Sequence, residues 1–284
     1  MYTAPITRRH KALFVLMIDR SGSMDEEVVF GGTTTTKAAA VALTANMLID
    51  EMLNRSRREQ GVSDYLDVAV VGYSGETVEP LIGNSFLHSI SDLAVMPYRT
   101  ERTVVRRTLP DGRESEAVIE RKYWFDAAAS GSTPLGKALA TTKNIVNRWA
   151  KHHPASFPPI VVDLTDGEAS DAEPEEIAQL SERIKSVSTL DGQTLLVNIH
   201  LSADYDRSTA PIKYPSANEP LPDNRLTRLL YSTASTLPEL YNSYISTLKE
   251  ADCQPPYRAM CYNASTDELV TLLGIGSATI DKII

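Results

Sequence analysis

Residues 12–18, ALFVLMI, are apolar at every position. The run is too short for a helix and rich in β-formers. A strand with one wet face alternates polar and apolar residues. A strand with no polar face is buried on both sides, which places it at the centre of a sheet covered by helices. LDVAVVGY at 66–73, PPIVVDLTDGE at 158–168 and TLLVNIHL at 194–201 repeat the pattern.

Helical spacing fills the gaps. Val41, Ala45, Leu48 and Met52 make a stripe on a helix starting near Thr36. Leu135, Leu139, Val146 and Trp149 make a second, and Ile177, Leu180, Ile184 and Val187 a third, with Pro174 in its first turn. A fourth helix is expected through Leu237, Leu240, Tyr244 and Leu248. A last strand, YRAMCYNA, and a last helix at 266–276 close the chain. This alternation predicts an α/β fold: a doubly wound, mostly parallel central sheet with helices on both faces.

TVEPLI at 77–82 is expected to pair with 66–73 across Gly75. A Pro-Asp-Gly turn between two β-prone arms reads as an inserted hairpin over 98–126, carrying Arg102, Arg106, Arg107, Arg113 and Arg121. GGTTTT at 31–36 reads as a loop, and 202–234 as a long loop insertion, Pro-, Asn- and Ser-rich over 202–224. No linker divides the chain, so 1–284 is expected to form a single domain.

Hydrophobic residues are 42% of the 284 and charged residues 23%, with net charge -9. That acidity argues against general phosphate-backbone binding. The basic residues before the first apolar run mimic a signal peptide, but the run is short and no cleavage site follows. Nothing approaches the roughly 20 apolar residues of a membrane span. A cytoplasmic protein with no membrane contact is expected. Cys253 and Cys261 lack metal-type spacing and are expected as small core residues on or near a late strand. The histidines, including His152 and His153, are expected in solvent.

Three polar clusters fall where strands end or beside such places. Asp19, Ser21 and Ser23 leave the first strand at alternate positions. Ser132 and Thr133 sit in the loop before a helix. Asp166 ends VVDLTD. Ligands of open α/β sheets bind at this carboxyl edge. Two carboxylates with several hydroxyls, and no His or Cys, form a hard oxygen set that suits Mg²⁺, Mn²⁺ or Ca²⁺ rather than zinc. Gly22 is expected to let the backbone turn. Two carboxylates neutralise a divalent ion and hydroxyls add no charge, so the ion stays electrophilic toward an external carboxylate.

FVLMIDRSGSM, SGSTPLGKAL and VVDLTDGEASD together resemble the three segments of a von Willebrand factor A domain with a metal-ion-dependent adhesion site. The resemblance implies metal ligands at Asp19, Ser21, Ser23, Thr133 and Asp166, with Mg²⁺ first among the candidate ions. It implies a non-enzymatic interaction module that takes a Glu or Asp of another protein. Arg20, Met24, Ser132 and Glu168 are expected on the partner-binding rim. With no leader expected, the chain is similar to the intracellular bacterial members associated with tellurite resistance, whose partners include a kinase or phosphatase encoded nearby, and to members serving stress, defence or signalling complexes.

Two rival readings remain. A Mg²⁺-dependent haloacid-dehalogenase-type phosphatase also starts from a strand ending in Asp. It wants a second acid two residues on, where this chain has Ser21, and a later lysine, for which Lys137 or Lys143 could stand. The segment DELVTLLGIGSATIDKII partly resembles a nucleic-acid-binding helix-hairpin-helix, but Leu273 replaces its proline. Helix capping would account for one Ser or Asp, not for three clusters at one edge.

Overall fold

The computed structural model describes residues 2–59, 61–108, 114–202, 211–249 and 254–264, with backbone alone at 103, 105–108, 114, 115, 117 and 119. The expected helix at 266–276, the helix-hairpin-helix-like segment and Cys253 lie outside the described residues.

The first apolar run is strand β1, Ala12–Asp19, buried at all eight positions. After a 3-10 turn at Gly22–Asp25, strands β2 (Glu27–Phe30) and β3 (Thr33–Thr36) form an antiparallel hairpin. Helix α1, Lys37–Ser56, follows, capped by Thr36, whose side chain accepts from the Ala39 N–H. Then come β4 (Leu66–Ser74), β5 (Thr77–Pro80), β6 (Leu87–Ser89) and the one-turn helix α2 (Ile90–Leu93). A separate two-stranded ribbon is built from β7 (Arg99–Thr108) and β8 (Glu114–Tyr123). The chain continues through α3 (Leu135–His152), β9 (Ile160–Thr165), α4 (Pro174–Lys185) and β10 (Leu195–Leu201). It closes with β11 (Ile212–Lys213), α5 (Arg225–Thr233), α6 (Asn242–Ser246) and β12 (Met260–Ala264).

The central sheet runs β11-β12-β10-β9-β1-β4-β5, and β6 also pairs with β4. Its parallel core is β12-β10-β9-β1-β4, with antiparallel strands only at the edges. Alternate residues of β1 feed two cores. Phe14, Leu16 and Ile18 meet Val41, Ala45, Leu48 and Met52 of α1. Leu13, Val15 and Met17 meet Leu135, Leu139 and Trp149 of α3 and Ile177 and Ile184 of α4. The α/β, doubly wound reading and the inserted ribbon therefore hold. Among the described residues no helix is long and apolar enough to cross a membrane.

Four local expectations fail. GGTTTT is a hairpin arm: Gly31 and Gly32 take φ of 57° and 78°, the left-handed pair that a tight hairpin turn needs. The 202–234 loop contains α5, hidden because its buried positions are Thr227, Leu230 and Thr233, so two of three are polar. The helix expected through Leu237–Leu248 is broken into a 3-10 turn at Glu239–Tyr241 and the short α6, which bury Tyr241 and Ile245 instead. His200 is buried, stacked 4.7 Å from the Tyr262 ring centre, rather than solvated. Burial disfavours its charged form and lowers its pKa to about 4. Cys261 is buried on β12, as expected.

Candidate metal centre

Along the chain the parallel strands run β1, β4, β9, β10, β12; across the sheet they stand second, first, third, fourth, fifth. The order reverses between β1 and β9, the place where open α/β sheets bind ligands at the strands' carboxyl ends. Asp19 is the last residue of β1, and Asp166 immediately follows β9.

The polar groups there form one connected path, with one link through the Ser21 backbone. Asp19 Oδ1 accepts the Ser21 backbone N–H at 2.8 Å. The Ser21 and Ser23 hydroxyls are 3.1 Å apart. Ser23 Oγ donates to Asp166 Oδ1 at 2.7 Å. Thr165 Oγ1 donates to Asp19 Oδ2 at 2.7 Å and ties the two strand ends together. An octahedral ion with ligands at about 2.1 Å separates neighbouring oxygens by about 3.0 Å. The Ser21, Ser23 and Asp166 oxygens stand 2.7–3.1 Å apart, a spacing compatible with a small hard cation. Among the described residues no group of three or more His, Cys, Asp or Glu is placed to hold a metal; three of the five expected ligands here are hydroxyl residues.

The Thr133 loop is held to the same edge by backbone bonds. Gly22 N donates to Gly131 O at 2.9 Å, Ser130 N to Arg20 O at 2.8 Å, and Gly75 N to Ser132 O at 2.8 Å. Thr133 is buried, and its N–H donates to Ser170 Oγ at 3.0 Å. Asp171 takes the free N–H groups of Gly136 and Lys137 at 2.9 Å each, capping α3 from outside. The loop bend belongs to Gly131, at φ 73°, where a Cβ would stand 2.8 Å from the Gly75 Cα. Gly22, expected to make the turn, takes no positive φ.

Burial raises the Asp19 pKa, against the lowering effect of the Ser21 and Thr165 hydrogen bonds, and the Asp166 charge raises it further. A buried carboxylate in that state gains from a cation. Behind it, Tyr73 OH donates to Asp163 Oδ1 at 2.9 Å. Burial pushes Asp163 up to about 7, with the Asp19 charge adding to the shift.

Of the expected rim, Ser132 and Glu168 are exposed. Met24 is not on the rim: it is fully buried in the α1-side core, because the 3-10 turn points it inward. Arg20 is mostly buried, 18% exposed, with Nη1 2.6 Å from Glu79 Oε1 of β5. The lysine at the carboxylates is neither Lys137 nor Lys143. Lys37 Nζ lies 2.6 Å from Asp166 Oδ2 and 2.8 Å from Glu26 Oε2. Lys37, Glu26, Tyr73, Thr165 and Asp171 were not singled out from sequence. Of these, Thr165, in the L-T-D-G strand end, and Asp171, in the D-G-E-A-S-D run with Asp166, had a visible signal.

No family model matches the chain, and no curated protein matches it. Solved structures similar to it include a von Willebrand factor type A protein from Catenulispora acidiphila, at 19% identity, covering 69% of this chain and 34% of that one, TM-score 0.40. The manganese-loaded TRAP protein of Plasmodium vivax is 14% identical over 96% of this chain and 74% of that one, TM-score 0.45. A membrane-spanning protein from Vibrio fischeri is 18% identical over 67% and 71%, TM-score 0.26. This chain thus spans about a third of the length of the first of them.

Proposed function

We propose that this chain is a von Willebrand factor A-like, non-enzymatic interaction module that binds an acidic side chain of another protein through a divalent cation. Asp19, Ser21, Ser23, Thr133 and Asp166 would hold the ion, Mg²⁺ first, with Mn²⁺ or Ca²⁺ as alternatives. The carrying observation is the hydrogen-bonded path Asp19–Ser21–Ser23–Asp166 at the point where the strand order reverses. The bound ion supplies an electrophilic position for a partner's Glu or Asp. Ser21 and Ser23 contribute oxygens without charge and so leave that position unsatisfied. Asp19 and Asp166 bring two negative charges, and Thr165 orients Asp19. Ser132 and Glu168, exposed beside the site, select the partner.

A bacterial cytoplasmic stress, defence or signalling complex, of the tellurite-resistance-associated kind, with a kinase or phosphatase as partner, is the setting this reading favours. A phosphatase would need an acid where Ser21 stands. The test is capture of partners from host lysate with and without chelator, using wild type and Asp19→Ala. Chelator and the substitution should remove the same proteins. Unchanged capture, or turnover of an aryl phosphate abolished by Asp19→Ala, would sink the proposal.

A further inference from the structure

A set of oxygen ligands needs no ammonium, yet one is built into this site. Lys37 opens α1, and its side chain is only 4% exposed. It stands eleven positions after Glu26, but the β2–β3 hairpin brings the chain back. Glu27 pairs with Thr36, and Lys37 N donates to Glu26 O at 3.0 Å. The Lys37 ammonium then bridges Asp166 Oδ2 and Glu26 Oε2. The other Asp166 oxygen accepts from Ser23. Both Asp166 oxygens are therefore engaged, one by a proposed metal ligand and one by a fixed cation.

We propose that Lys37 is an internal counter-cation. It holds Asp166 in place and offsets part of the carboxylate charge when no ion is present, and it weakens divalent-cation binding through its own charge. Asp19, Asp166 and Glu26 carry three negative charges against one positive. A divalent ion added beside Lys37 brings that sum to zero. The two cations repel at short range in a part-buried site, where screening is weak. Glu26 gives the ammonium a second anchor, so Lys37 can slacken its hold on Asp166 without being left buried and unpaired. The hairpin that supplies Glu26 and returns Lys37 thereby sets how tightly the site takes an ion.

This inference rests on the reading of the site as a divalent-cation centre, and titration calorimetry of the full chain with MnCl₂ separates the two. Lys37→Met and Lys37→Gln should bind Mn²⁺ about tenfold more tightly than wild type. In chelator both should melt at a lower temperature than wild type, and Mn²⁺ should restore more of their stability. Lys37→Arg keeps the charge and should bind as wild type does. Wild-type binding with equal or weaker affinity in the Met and Gln variants overturns the role of Lys37 and leaves the metal reading standing. No binding by any variant overturns both. Should the Met and Gln variants fail to fold, Glu26→Gln decides, since Glu26 is 57% exposed. Its loss leaves the ammonium on Asp166 alone, and Mn²⁺ affinity should fall at least threefold; unchanged affinity refutes the proposal.

Discussion

Asp163 sits one layer beneath the site, fully enclosed, with Tyr73 OH donating to one oxygen. Burial moves its carboxyl from 3.8 to about 7. The native chain therefore keeps a proton that the unfolded chain has already released. The stability held by neutral Asp163 is fully present below the unfolded value and is lost as pH rises through about 7. At about 1.4 kcal/mol per unit, a shift of about three units costs about 4 kcal/mol once the group is ionised. Integrated between pH 5 and pH 8, the loss is about 2.5 kcal/mol. Asp163→Asn keeps an acceptor for Tyr73 and removes the titration. Urea unfolding of both proteins, followed by tryptophan fluorescence in chelator at pH 5, 6, 7 and 8, isolates this one group. The variant should gain on wild type by about 2.5 kcal/mol across that range. Parallel stability curves would refute the assignment, since a carboxyl that is already ionised at pH 5 gives no such divergence.

Trp149→Phe removes the indole donor 2.8 Å from Asp67 Oδ2, and thermal melts should show a loss of about 1–3 kcal/mol from the abandoned buried acceptor. Gly131→Ala drives a Cβ into the Gly75 backbone at an unfavourable φ; a cost of about 1–3 kcal/mol and weaker Mn²⁺ binding by calorimetry are expected, because the Thr133 loop must shift. Met24→Ala should cost about 2–5 kcal/mol in denaturant unfolding, as a cavity in a packed core does. Glu168→Gln, on the exposed side, should leave the melting temperature unchanged and alter only which proteins are retained in chelator-sensitive capture.

The central architecture was legible because its cause is local. Residues 12–18 have no polar face, so that strand had to be covered on both sides. The stripes on α1, α3 and α4 are strongly periodic. The elements that escaped notice lack a local signal. In α5, Thr227 and Thr233 face inward, Thr233 Oγ1 donating to Leu229 O and Thr227 Oγ1 buried without a hydrogen-bond partner, so no apolar stripe is written in the sequence. The β2–β3 hairpin rests on two successive left-handed glycines, and a Gly/Thr-rich run reads equally well as loop. Met24 lies beside the motif but belongs to the core, since a 3-10 turn rotates it inward.

The candidate site divides in the same way. Sequence alone determined which oxygen donors exist, with Asp19–Ser21–Ser23 and Asp166 at the ends of apolar strands and Thr133 in the loop before a helix, because side-chain chemistry and strand polarity are local properties. The tertiary structure decided that β1 and β9 are neighbours at the strand-order reversal, which joins Ser23 to Asp166 across 143 residues. It also decided that the charge balance includes Lys37, since only the returning hairpin carries that ammonium to Glu26 and Asp166. Spacing along the chain cannot report such a pairing: an ion pair depends on distance through space, and the ten-residue hairpin Glu27–Thr36 closed that distance between Glu26 and Lys37.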